Sequence, residues 1–249
     1  MQISEFRIRH SAIRIAMSLF AYAALLCLAG AVVLLDKWTF GEFGISQPIV
    51  SCPLLGILFG DVGTGMFLGT ALQLVWIESL PLGGEKPLDY QSAGVVGITS
   101  FLLARRAWSG QPSLAWFGLE HRVLFACLIL AALGTIVGQY ADDRLRRVND
   151  GIYHLGSRAT RARGVFGAHL LAFLPALLRG ALTTGFFLVL MWLALPLMSR
   201  LPDFTRDELL LCPLAIGIAG LVKLFYRRER VPLFAAGMIV SGVLWVLWK

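Results

Sequence analysis

The hydrophobic positions of this chain gather into long apolar runs separated by short polar punctuation. The cleanest run, SAIRIAMSLFAYAALLCLAGAVVLL over residues 11–35, is closed by Asp36 and Lys37. A helix needs roughly 20 apolar residues to cross a hydrocarbon core, so this run predicts a transmembrane helix. It is too long for the apolar part of a signal peptide and no small-residue cleavage site follows, which predicts a retained anchor. Further spans are predicted over 122–140, 181–198, 209–225 and 232–248. Val165 to Leu178 contains His169 and Pro175 and is followed by Arg179. It is expected to lie along the interface rather than to cross.

One segment breaks this rhythm. QPIVSCPLLGILFGDVGTGMFLGTALQLVWIESLPLGGEKPLD, residues 47–89, is apolar but holds four prolines, seven glycines and the acids Asp61, Glu78, Glu85 and Asp89. Pro48 to Phe59 is too short to cross a core of about 30 Å as a helix and predicts a re-entrant or half-spanning piece. GDVGTG predicts a turn, Met66 to Leu80 the return, and Gln91 to Ala104 a third short piece. Lipid cannot hydrogen-bond a broken backbone, so such backbone survives at membrane depth only inside protein or beside a water-filled cavity. Transporters build midplane sites from segments of this kind.

The expected fold class is an all-α polytopic membrane protein, with full transmembrane helices plus re-entrant, broken helical hairpins. It forms one membrane domain over 1–249. An anchor helix occupies 1–46, a broken-helix solute-binding unit 47–104, and the remaining helices 105–249 with a basic cytoplasmic loop at 142–163.

Composition agrees: 57% of the 249 residues are hydrophobic and mean hydropathy is +0.75. A soluble domain of this size could not bury that much apolar surface. The net charge of +7 would suit nucleic acid, but the arginines sit in short clusters between apolar spans. This is the positive-inside pattern, and it argues against nucleic-acid binding. It places the N-terminus, the 142–163 segment (six arginines against three aspartates) and 226–230 on one side, the cytoplasm. Trp108 and Trp116 suit a membrane interface. Cys27, Cys52, Cys127 and Cys212 stand singly in apolar runs, where they act as small hydrophobes; neither a disulfide frame nor a metal site is indicated.

The candidate chemistry lies in the broken segment. Asp61, with Thr64 between Gly63 and Gly65, either aims a carboxylate and helix-end dipoles into a solute cavity or sits in a solvated loop. Gln73 lies in an apolar helix, where an unpaired amide is expensive; it either faces a solute path or bonds a neighbouring helix. Glu78 suits a site or a solvated helix end. Asp89 closes PLGGEKPLD, which is either a hairpin tip lining a cavity or a plain turn. His169 reads as a helix-packing histidine, and Asp142, Asp143 and Asp150 as solvated partners of the nearby arginines. Catalytic triads, HExxH, Walker and dinucleotide motifs are missing from the sequence, so chemistry by this chain itself is not expected.

Gln47-Pro48, then PLLGILFGDVGTGMFLGTALQL, then PLGGEKPLD, resemble the IIC subunit of the mannose/fructose/sorbose class of bacterial phosphotransferase (PTS) sugar transporters. That family's pattern runs RP, a short apolar run ending LGD, then TG, a helix carrying LE, a GA turn and PPD. Here these fall on Phe59-Gly60-Asp61, Thr64-Gly65, Gln73, Gly83-Gly84 and Leu88-Asp89. Gln47, Gln73 and Leu88 replace the family's arginine, glutamate and proline, marking a divergent member.

The resemblance implies a multi-pass subunit of the bacterial inner membrane that binds a hexose-type sugar and presents it to a IIB partner. It implies a IID membrane subunit, soluble IIA and IIB subunits that carry the phosphate, an oligomer, surrounding lipid, and no cofactor. Asp61, Gln73 and Asp89 are then the first candidates for sugar hydroxyl contacts, with Thr64 and Glu78 behind them. Two other functions fit the residues: a non-transporting receptor or regulatory protein on a IIC-like scaffold, and an ion-coupled secondary transporter.

Overall fold

A computed structural model describes residues 2–37, 39, 41–77, 88–108, 119–157 and 162–225, with the isolated positions 236 and 240. Among the described residues the regular elements are helices: α1 (Gln2–Leu34), α2 (Pro48–Phe59), α3 (Val62–Val75), α4 (Tyr90–Trp108), α5 (Glu120–Ser157), α6 (Ala162–Ala194) and α7 (Arg206–Phe225). Short 3-10 turns, Leu35–Lys37 and Leu195–Arg200, extend α1 and α6. Glu78 and the expected span over 232–248, apart from positions 236 and 240, lie outside the described residues.

Among the described residues, three stretches are long and apolar enough to cross a membrane: Ser18–Lys37, Glu120–His154 and Phe166–Arg200. The broken segment folds as a hairpin of two short apolar helices. At helical rise, α2 measures about 18 Å and α3 about 21 Å, both less than a hydrocarbon core. The boundaries of α2 follow from local chemistry. Pro48 occupies its first turn, where a missing N–H costs nothing. Gly60 ends it in the left-handed region at φ 81°, and the Asp61 N–H turns back onto the Gly56 carbonyl at 2.6 Å. The Asp61 carboxylate then accepts from the Thr64 N–H at 3.2 Å and caps α3. At α7, Thr205 and Glu208 exchange hydrogen bonds as a capping box.

α4 is the central element. Every residue from Gln91 to Ala104 is buried, with α1, α2, α3, α5 and α6 packed around it. Ile98, Phe101 and Leu102 meet Leu26, Leu72 and Leu124 in the core. The α2–α3 hairpin closes tightly because glycines face it. A Cβ on Gly65 would stand 2.5 Å from the Cys52 carbonyl, and one on Gly69 2.7 Å from the Pro48 carbonyl. α2 runs parallel to α4, since Pro48 abuts Gly94 while Gly60 lies beside Arg105. The exposed apolar side chains Leu170, Leu174, Leu178, Leu182 and Phe186 form a stripe along α6, at the spacing of one helix face.

Three expectations change. The stretch expected along the interface, Val165 to Leu178, is one continuous helix with 181–194; Pro175 and Arg179 both lie within it. Pro175 removes one backbone bond, but the packed helix carries on past it. The basic 142–163 segment, expected as a loop, is helical as far as Ser157. Finally, the N-terminus and 142–157 do not share one end of the bundle. α1 is helical from Gln2 onward, and Lys37 in the turn that extends it meets Asp142, so the start of α1 lies at the far end.

Candidate functional site

The hairpin separates the candidate residues into two levels. At the turn, Asp61 is partly buried and makes an ion pair with Arg105 of α4. Arg105 also points at the Gly60 carbonyl at 3.5 Å. Thr64, in the first turn of α3, is 2% exposed and supplies the N–H that Asp61 caps. This cluster pins the hairpin tip to the C-terminal end of α4.

Gln73 lies twelve residues beyond Asp61 along an antiparallel helix, about 18 Å away at helical rise. A single hexose, roughly a third of that length, cannot touch both. The Gln73 side-chain carbonyl accepts from the Ile49 N–H at 3.4 Å, at the start of α2. The first N–H groups of a helix have no partner within it and carry the positive end of its dipole. Gln73 therefore serves as a remote cap for Ile49, while the Val50 and Ser51 N–H groups turn back onto the Gln47 carbonyl. Nearby, Pro48 and Ser51 press on Gly94 of α4, and Gln91 lies one turn earlier. Ser51 Oγ and Gln91 Oε1 are buried without a hydrogen-bond partner, in a protein interior that normally satisfies such atoms.

Asp89 belongs to this second level, but its oxygens are already engaged. Lys37 donates to Oδ1 at 2.8 Å, Ser92 donates its hydroxyl to Oδ2 at 2.5 Å, and Arg179 pairs with Oδ2. Asp142 completes the group, 2.6 Å from Lys37 and 2.9 Å from Arg179. Two carboxylates and two cations thus alternate in a buried node, with side-chain exposures of 0% for Asp89, 1% for Asp142, 3% for Lys37 and 5% for Arg179. The expectation that Asp142 is a solvated partner of surface arginines is corrected. It faces inward, where a lone carboxylate would be untenable and a cation on either side makes burial feasible.

The node joins the ends of α1 and α4 to the middles of α5 and α6. Neighbouring Asp36, itself 4% exposed, accepts from the Phe43 N–H at 2.8 Å and from the N–H and hydroxyl of Ser46. These bonds fold 41–47 and deliver Gln47-Pro48 to the start of α2. In the sequence Asp36 and Lys37 are the polar end of a span, with nothing local to connect them to the site. The available signal was Arg179, an ionisable residue within an apolar stretch, which requires a named partner at membrane depth. His169 is exposed and edge-on to Phe173 at 5.6 Å. Among the described residues, no His, Cys, Asp and Glu gather as a metal site.

Comparison with known proteins points in one direction. The family pattern described as "PTS system sorbose-specific iic component" matches residues 20–246. The chain is 24% identical over 232 residues to the PTS system sorbose-specific EIIC component of Klebsiella pneumoniae, covering 88% of this chain and 77% of that protein. It is 30% identical over 119 residues to the PTS system mannose-specific EIIC component of Escherichia coli strain K12, covering 47% of this chain and 42% of that one. A solved membrane-protein structure shares the fold at TM-score 0.61 with 18% identity, covering 91% of this chain and 86% of the other.

Proposed function

This chain belongs to the sorbose-specific IIC family of phosphotransferase-system permeases, and we propose that it holds a hexose-type sugar at the Gln73 end of the α2–α3 hairpin for phosphorylation by a IIB partner. As a IIC component it is a multi-pass membrane transport subunit. The proposed setting is the bacterial inner membrane, in an oligomer with a IID subunit, with IIA and IIB relaying phosphate from the cytoplasm. The sorbose- and mannose-specific relatives support a hexose as the cargo.

The observation that carries the reading is the set of polar groups around the start of α2. Gln73 presents an amide beside the positive end of the α2 dipole, and Ser51 and Gln91 hold buried oxygens with no partner. A buried polar group left unpaired costs about 1–3 kcal/mol, so the closed α2–α4 interface is penalised until something bonds these atoms. A sugar supplies hydroxyls that both donate and accept. A rigid-body shift of the hairpin against α4 would open these groups to it, in the manner of broken-helix transporters. Asp61 and Thr64 then shape the turn, too far away to share the same sugar.

The test is accumulation of labelled L-sorbose and D-mannose in cells expressing the chain with its IIA, IIB and IID partners. Either sugar should appear inside as its phosphate, and only when the phosphocarrier relay is intact. Accumulation of unmodified sugar without the relay would instead establish an ion-coupled carrier. Failure to take up any hexose would favour the receptor reading.

A further inference from the structure

The buried node raises a question that the sugar reading leaves open: what Asp89 does. Its Oδ1 takes Lys37 at 2.8 Å and the Ser92 N–H at 3.3 Å, and its Oδ2 takes Arg179 and the Ser92 hydroxyl. Arg179 also reaches Ser92 Oγ at 3.2 Å and the Gly138 carbonyl at 3.4 Å. A carboxylate offers about four lone-pair sites, and four contacts occupy them. A sugar hydroxyl could bond Asp89 only by displacing Lys37, Arg179 or Ser92 from it.

We propose that Asp89 is a positioning residue for the sugar site rather than a sugar contact: the Lys37–Asp89–Arg179–Asp142 node clamps the first turn of α4 and so sets where Gln91 and Gly94 stand against Gln73 and the start of α2. This rests on the sugar reading above. The geometry is direct. Asp89 caps α4 through the Ser92 N–H, Gln91 lies between those two residues, and Gly94 is the point at which α2 bears on α4. The backbone of α5 comes close at the same place: a Cβ on Gly138 would collide with Asp89 Oδ2 and Ser92 Oγ. The cations reach Asp89 from α1 and α6, so the α4 end is braced from three sides.

Two double variants separate positioning from contact, because each removes one cation and one carboxylate together and leaves the node's charge balance unchanged. Lys37→Met with Asp89→Asn removes the carboxylate. Arg179→Met with Asp142→Asn keeps Asp89 and its lysine but removes the arginine brace. The readouts are membrane abundance, thermal unfolding of the purified chain, and KM and maximal rate for labelled L-sorbose and D-mannose.

Positioning predicts that the single variants Lys37→Met and Asp89→Asn unfold at clearly lower temperature, while both doubles recover abundance. Both doubles should then raise KM by roughly tenfold, the effect of losing about one hydrogen bond to the sugar, with the maximal rate largely kept. The proposal is overturned if Lys37→Met with Asp89→Asn abolishes uptake while Arg179→Met with Asp142→Asn keeps the wild-type KM. It is equally overturned if the single variants unfold like wild type. If wild type itself transports neither sugar, the sugar reading fails, and an absence of KM or uptake data then withdraws the positioning claim with it. The unfolding data still report whether the node bears load.

Discussion

Replacing Asp61 separates a structural turn from a sugar contact. Asp61 makes two bonds: it caps α3 through the Thr64 N–H at 3.2 Å, and it pairs with Arg105 across the hairpin tip. The cap contributes about 1 kcal/mol. The ion pair contributes less than about 1 kcal/mol, because the Arg105 side chain is 46% exposed and solvent screens it. Asparagine caps as well as aspartate, so Asp61→Asn loses only the ion pair, whereas Asp61→Ala loses both, about 1–2 kcal/mol together. Thermal unfolding of the purified chain should therefore rank wild type above Asp61→Asn above Asp61→Ala, with small steps. KM for sugar should stay near the wild-type value in Asp61→Asn, because Gln73 lies about 18 Å away along α3. Loss of uptake in Asp61→Asn at undiminished membrane abundance would refute the reasoning and return the sugar to the hairpin tip.

Other outcomes follow from the same geometry. Gln73→Glu places a carboxylate at the start of α2, where the helix dipole favours it by about 0.3–1 kcal/mol and sugar hydroxyls gain a charge-assisted acceptor; KM should fall, and a rise would count against Gln73 as a contact. Gly138→Ala drives a methyl group into the Asp89–Ser92 contact and should cost about 3 kcal/mol, the scale of breaking a buried pair; unfolding at the wild-type temperature would show that the node tolerates displacement. Cysteines introduced by Gln2→Cys and Val148→Cys should react with an impermeant thiol reagent from opposite faces of the membrane, since α1 carries the chain from one end of the bundle to the other before Lys37 meets Asp142. Labelling of both from one face would contradict the packing of α1 against α4 and α6.

What was legible in the sequence follows the range over which each signal acts. Pro48 and Gly60 are local instructions, so the bounds of α2 emerged from a proline that starts a helix and a glycine that ends one. The shortness of α2 and α3 was legible for the same reason, whereas the piece expected over 91–104 runs as the longer α4, Tyr90–Trp108. Charge misled where it stood for topology: 142–157 looked like a loop because arginines crowd it, yet Asp142 and Leu145 are buried and the helix continues with Arg144, Arg146 and Arg147 turned outward. Pro175 and Arg179 looked like the end of an interfacial piece, although a helix long enough to pack on both sides passes through them. The node was out of reach of local reading. Lys37, Asp89, Asp142 and Arg179 are brought together by four separate elements, and nothing in one sequence says which distant charges share a buried space. The separation of Asp61 from Gln73 was likewise hidden, because spacing along the family motif says nothing of which end of a hairpin each residue occupies.

The most direct test of the central claim is equilibrium binding of labelled L-sorbose and D-mannose to the purified chain with its membrane partner, comparing wild type with Gln73→Ala. Losing one hydrogen bond of about 1–1.5 kcal/mol at a shielded site should weaken binding of the transported sugar about tenfold, with the folded fraction unchanged. Equal affinity in the two proteins would contradict a sugar site at the start of α2.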